Sequence, residues 1–114
     1  MKKTNVIQEI KAFSSGDQES ERALVEIIIS QTSLQLLQIT TCLKSNNWDQ
    51  LKNIAHKLYS TFIFLKIPRA KELTEAIRTT AGTNIEATQK EAIELIEICN
   101  DFIFELKNYS TLNY

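Results

Sequence analysis

Residues 48–65 read Trp48-Asp49-Gln50-Leu51-Lys52-Asn53-Ile54-Ala55-His56-Lys57-Leu58-Tyr59-Ser60-Thr61-Phe62-Ile63-Phe64-Leu65. The apolar residues Trp48, Leu51, Ala55, Leu58, Phe62 and Leu65 alternate spacings of three and four without a break, which sets them along one face of an α-helix. Such a stripe is the seam that a helix presents to its neighbours in an antiparallel bundle. Asn47 with Gln50 three residues on forms a capping-box pattern and starts this helix near Trp48. Pro68 must end it and suits the first turn of the next helix.

The rest of the chain reads the same way. Thr4 to Phe13 place Val6, Ile10 and Phe13 on one face of a short helix, broken by Ser14-Ser15-Gly16-Asp17. Asp17 is a good N-cap, and Glu19 and Glu21 follow in the first turn, where acids favour the helix dipole. From there to about Lys44, Val25, Ile28, Thr32, Leu36, Ile39 and Leu43 mark one long helix. Leu24, Ile27, Leu34 and Leu37 widen its apolar face, as expected for a helix with two bundle neighbours. The helix opened by Pro68 runs to about Thr80 with Leu73, Ala76 and Ile77 inward, and Ala81-Gly82 terminates it. Thr83 and Glu86 form a second capping box. They open a last helix through Asn108, with Ala92, Ile96, Cys99, Ile103 and Leu106 as one stripe and Leu95, Ile98 and Phe102 as a second. The expected fold is all-α: an antiparallel up-down four-helix bundle with an additional short N-terminal helix, forming one domain over residues 1–114.

Composition agrees. Two Gly and one Pro in 114 residues are too few for the tight turns of a sandwich, a barrel or a Rossmann-type sheet. A hydrophobic fraction of 43% with a net charge of −1 excludes intrinsic disorder. The same charge argues against a nucleic-acid partner, which calls for a strongly basic face. No apolar run approaches the ~20 residues of a membrane helix, and Met1-Lys2-Lys3 is not followed by the apolar core of a signal peptide. Cys42 and Cys99 stand far apart with no companion His, so neither metal ligation nor redox catalysis is expected. Buried free thiols fit a cytoplasmic protein.

The single histidine, His56, lies about 100° round the helix from Ala55, on the edge of the exposed face. Lys52, Tyr59, Ser60 and Ile63 lie within one or two turns on its side. Between Lys44 and Arg78 seven cations face three acids, whereas from Thr79 onward six acids face two cations. The histidine therefore sits in the cationic part of a nearly neutral chain, which suits an anionic group or an acidic partner. Tyr59, Ile63 and Phe64 offer a partly apolar docking surface beside it. Glu91, Glu94, Glu97, Asp101 and Glu105 read as the solvated face of the last helix, and Trp48 as a packing residue.

Ile54-Ala55-His56-Lys57-Leu58-Tyr59-Ser60-Thr61-Phe62, then Leu65 and Ala70-Lys71-Glu72-Leu73-Thr74-Glu75-Ala76-Ile77, resembles the histidine-containing phosphotransfer (HPt) domain family. That family reads Ala-His-x-Leu-Lys-Gly, an apolar run, a short turn, and a helix with Leu-x-x-x-x-x-x-Leu/Ile-Glu. Asn47-Trp48-Asp49 sits where the family often starts this helix. The resemblance spans nearly the whole chain. It implies a phosphorelay module in which His56 accepts a phosphoryl group from one receiver-domain aspartate and passes it to another. Such a domain has no nucleotide-dependent kinase activity, cofactor or metal of its own, because the receiver brings the acidic pocket and Mg²⁺. The implied partners are a response-regulator receiver domain, a hybrid sensor histidine kinase, or both; no nucleic acid or membrane is implied, and the domain is expected to be a monomer. The chemistry suits an exposed imidazole, whose neutral Nε2 is a nucleophile.

The chain departs from the family at three places. Tyr59 stands for the Lys three residues after the histidine, Ser60 for the following Gly, and Lys66 for a small residue or glycine ten residues on. The cation beside the phosphoryl oxygens must then come from Lys52 or Lys57, with Ser60 as a hydrogen-bond donor. The other reading is a phosphotransfer-deficient adaptor that binds a receiver or kinase domain without transferring phosphate. An unrelated helical interaction domain stands third.

Overall fold

The structure is a computed structural model that describes residues 5–114; the helix start expected at Thr4 and the Met1-Lys2-Lys3 segment lie outside the described residues. It is all-helical, with no strand among the described residues. The helices are α1 (Val6–Ser14), α2 (Gln18–Ser45), α3 (Trp48–Leu65), α4 (Pro68–Thr80) and α5 (Ile85–Asn113).

Side chains and left-handed residues set the helix ends. Asp17 Oδ1 accepts from the Glu19 amide and Oδ2 from the Ser20 hydroxyl, at 3.2 and 2.7 Å, and the Ser20 bond holds the Asp17 carboxyl below its ordinary range. Asn47 Oδ1 accepts from the Gln50 amide. Ser15, Asn46 and Lys66 adopt left-handed φ of 51°, 56° and 55° and close α1, α2 and α3. After α3 the Ile67 amide donates to the Phe62 carbonyl at 3.0 Å, the wrap that a left-handed residue permits at a helix C-terminus. Lys66 thus occupies a left-handed position, where its Cβ bears a penalty that glycine would not.

Two sequence expectations shift at the ends of α5. The cap of α5 is Asn84, whose Oδ1 accepts from the Ala87 amide at 3.0 Å, rather than Thr83 with Glu86. Thr83 instead donates its hydroxyl back to the Thr79 and Thr80 carbonyls. The last helix continues past Asn108 to Asn113. Tyr109 and Tyr114 hold that extension by donating to Glu21 Oε2 at 2.9 and 2.6 Å.

The helix α2 packs against α3 and α5, and α4 packs against the same two; α2 and α4 do not touch, and α1 rests on α2, α3 and α5. Leu51, Ala55, Leu58, Phe62 and Leu65 of the α3 stripe are buried, while Trp48 is half-buried beside Gly82. The Phe62 ring meets Phe102 edge-to-face at 6.3 Å. Phe13 faces solvent, and the buried position at the end of α1 belongs to Ser14, whose hydroxyl donates to the Ile10 carbonyl. Ile27, Leu34 and Leu37, expected to widen the inward face of α2, point outward at 49%, 56% and 67% exposure. By length and composition alone α2 is long and apolar enough to cross a membrane, against the expectation from run lengths: one 18-residue window has mean hydropathy 1.2 and is 28% buried. Glu91 and Glu94 are not merely solvated. Glu94 takes both nitrogens of an Arg69 fork at 2.6 and 2.7 Å, and Glu91 accepts from Thr80 at 2.7 Å, tying α5 to α4.

Candidate functional site

Burial of Ala55 and Leu58 in α3, and of Leu73, Thr74 and Ile77 in α4, leaves the neighbouring side chains of both helices along a shared groove. There a shallow hollow of about 580 Å³ opens to solvent. Lys52, Asn53 and His56 line it from α3, at spacings that stack on one side of a helix; Glu75, Arg78 and Thr79 line it from α4 in the same way. His56 is exposed at its rim. The lining holds two cations, Lys52 from α3 and Arg78 from α4, against one acid, Glu75, so an anion beside the imidazole meets a net positive surface. Arg78 lies in the last turn of α4, where it also offsets the negative end of that helix's dipole.

The other sequence candidates divide. Of the three residues expected to support a phosphoryl group, Lys52 lines the hollow, whereas Lys57 and Ser60 are exposed on α3 outside its lining. Tyr59 is half-buried, with the Lys71 ammonium 5.9 Å from its ring centroid, so this side chain and its cation partner lie between α3 and α4. Ile63 is exposed two turns beyond His56. Phe64 is half-buried and meets the exposed Phe13 ring edge-to-face at 5.2 Å. Phe13 of α1 thus pairs with Phe64 of α3 about two turns along the helix from His56.

Arg78, Glu75, Thr79 and Asn53 were not singled out by the sequence. One signal was available for Arg78: it stands ten residues after Pro68, as His56 stands ten before Lys66, so a helical hairpin folded at that turn brings the two to similar height. Cys42 and Cys99 are buried, and burial pushes the Cys99 thiol up to about 12, which keeps it protonated and unreactive. Among the described residues no three His, Cys, Asp or Glu side chains converge as metal ligands. Comparison of the chain with family models, with curated proteins and with solved structures finds no match.

Proposed function

We propose that the chain is an HPt-like phosphoryl carrier, its α2 to α5 forming an antiparallel four-helix bundle with α1 packed alongside, and that His56 exchanges a phosphoryl group with receiver-domain aspartates. The observation that carries this reading is the placement of the one histidine at the rim of an open hollow walled by Lys52 and Arg78. In the step, the lone pair of neutral Nε2 attacks phosphorus, the bond from phosphorus to the aspartyl oxygen breaks, and the carboxylate leaves with its electron pair. The imidazole keeps its Nδ1 proton and carries the phosphoryl group as a zwitterion; the return step is the same exchange reversed. Such a transfer asks for positioning and charge neutralisation rather than covalent help, and Lys52 and Arg78 offer that charge while Asn53 and Thr79 offer hydrogen-bond donors. Arg78 takes the part that Tyr59 cannot, supplying the cation from α4 instead of from α3. The apolar patch of Phe13, Ile63 and Phe64 is suited to a receiver's docking surface.

Tyr59 and Ser60 favour the second reading, an adaptor that docks without transfer. Incubation with receiver domains charged by acetyl phosphate separates the two. A carrier acquires an acid-labile, alkali-stable phosphoryl group that His56→Gln abolishes while receiver binding persists. A panel of charged receivers that all bind and never label the chain assigns it to the adaptor class.

A further inference from the structure

From Ile27 to Leu43 the chain holds no charged side chain, a run of seventeen residues within α2. The outward side of that helix presents Ala23, Ile27, Ser30, Leu34, Leu37 and Thr41, all exposed. Their spacing alternates three and four, so they form a second stripe, opposite the one that packs inward. Ile27, Leu34 and Leu37 are the large members, and the small residues between them leave room for another helix to approach closely. This stripe lies away from the hollow, because α2 makes no contact with α4.

The charges that flank the stripe select its occupant. Glu26 and Lys44 are exposed and stand eighteen residues apart, which is five helical turns, so they lie on the same edge of the stripe at opposite ends. We infer that the outward face of α2 binds a second copy of this chain, the two α2 helices lying antiparallel about a two-fold axis near Leu34 and Leu37. That axis places Glu26 of each copy beside Lys44 of the other, sets Ile27 near Thr41, and pairs the leucines at the centre. A parallel pair would set like charges at the same height, so the edge charges discriminate between the two arrangements. Lys44 has no ion partner among the described residues; Glu26 holds Arg22 at 3.0 Å, an exposed contact that exchanges readily. From Ala23 to Lys44 the strip is about 32 Å long, and at about 10 Å wide it covers roughly 300 Å² on each copy, the size of a weak and transient contact. The pair is therefore a reversible dimer that forms with rising concentration and leaves both hollows open, in place of the monomer expected from sequence.

Sedimentation equilibrium of the full chain from about 10 μM to about 1 mM tests this. The expected result is a monomer–dimer equilibrium in which Leu34→Glu weakens association at least about tenfold with helical content unchanged. Glu26→Lys and Lys44→Glu should each weaken it, and the two together should restore it. A chain that stays monomeric over this range overturns the proposal, as does a dimer indifferent to Leu34→Glu or a double charge exchange no better than either single change. Binding of the monomer to uncharged phosphatidylcholine vesicles, lost in Leu34→Glu, would assign the face to a membrane and overturn it equally.

Discussion

Replacing Phe62 by alanine tests the helix-face assignment on which the position of His56 depends. Phe62 is 1% exposed, and its ring meets Phe102 edge-to-face at 6.3 Å and 83°. Truncation of a buried Phe costs about 3–5 kcal/mol through lost burial and the cavity left behind. Of that, about 1 kcal/mol belongs to the ring pair, so Phe102 loses a partner as well as a neighbour. A domain of this size has about 5–15 kcal/mol in total, and each kcal/mol moves its melting temperature by about 4 °C, so a fall of about 12–20 °C is expected. His56→Gln alters an exposed side chain six positions earlier in the same helix and should cost within about 0.5 kcal/mol, or about 2 °C. Guanidinium and thermal melts followed by far-UV circular dichroism read both values, at one fixed protein concentration because self-association would raise apparent stability. A loss below about 1 kcal/mol for Phe62→Ala, or a larger loss for His56→Gln, would mean that the buried and exposed faces of α3 have been exchanged.

Arg78→Ala and Lys52→Ala should each slow phosphoryl transfer by about tenfold, since a unit charge a few ångströms from the phosphoryl oxygens in an open site is worth one to a few kcal/mol. Rapid-quench transfer assays would show it, with melting temperature unchanged, and an undiminished rate in the double variant would remove both residues from the site. Lys66→Gly should raise stability by about 0.5 kcal/mol in denaturant melts: relief of a left-handed Cβ, about 1 kcal/mol, outweighs the Lys66–Glu9 pair at 3.3 Å, whose lysine is exposed and whose glutamate is half-buried. Asp17 has its carboxyl held below 3.8 in the folded chain, so its contribution is fully present above the unfolded value and is lost as pH falls through the folded one. The stability gap between the parent and Asp17→Ala should accordingly be widest near neutrality and narrow below about pH 4; a gap constant from pH 7 to pH 2 would contradict this.

The α3 stripe was legible because burial selects one face and the other carries Lys52, Asn53, His56 and Lys57. In α2 the same reasoning misplaced Ile27, Leu34 and Leu37. A helix apolar on several sides has no polar face to show which side is covered, and only its neighbours decide. At the start of α5 two adjacent residues were competent caps, and the turn after α4 engages Thr83 with the Thr79 and Thr80 carbonyls, leaving Asn84 for the cap. The end of α5 was set too early because its last turn is secured by Glu21, 88 and 93 residues away along the chain from Tyr109 and Tyr114. His56 and Lys52 could be read from one helix. Glu75 and Thr79 could not, and for Arg78 the matching distances from the turn gave height alone, since the meeting of these residues with His56 depends on how two helices slide past each other.

On the carrier reading, that dependence sets this site apart from one whose cation sits on the same helix as its nucleophile. Lys52 moves with His56, but Arg78 is held by the packing of α4, through Ala70, Leu73 and Ile77, against α3 and α5. A cavity at Leu73 would let α4 shift, and sub-ångström slack in a positioning group already costs transition-state stabilisation. Leu73→Ala should therefore lower stability by about 2–5 kcal/mol and also slow transfer in the molecules that remain folded. Leu106→Ala supplies the contrast. Leu106 is fully buried, but it lies about 32 Å along α5 from its start, beyond the reach of α4, which is about 20 Å long. It should cost similar stability and leave the rate per folded molecule unchanged. Single-turnover transfer, normalised to the folded fraction at a temperature well below both melts, compares the two. Equal rates in Leu73→Ala and Leu106→Ala would show that the α4 cation does not act on the phosphoryl group, and the charge would then have to come from α3 alone.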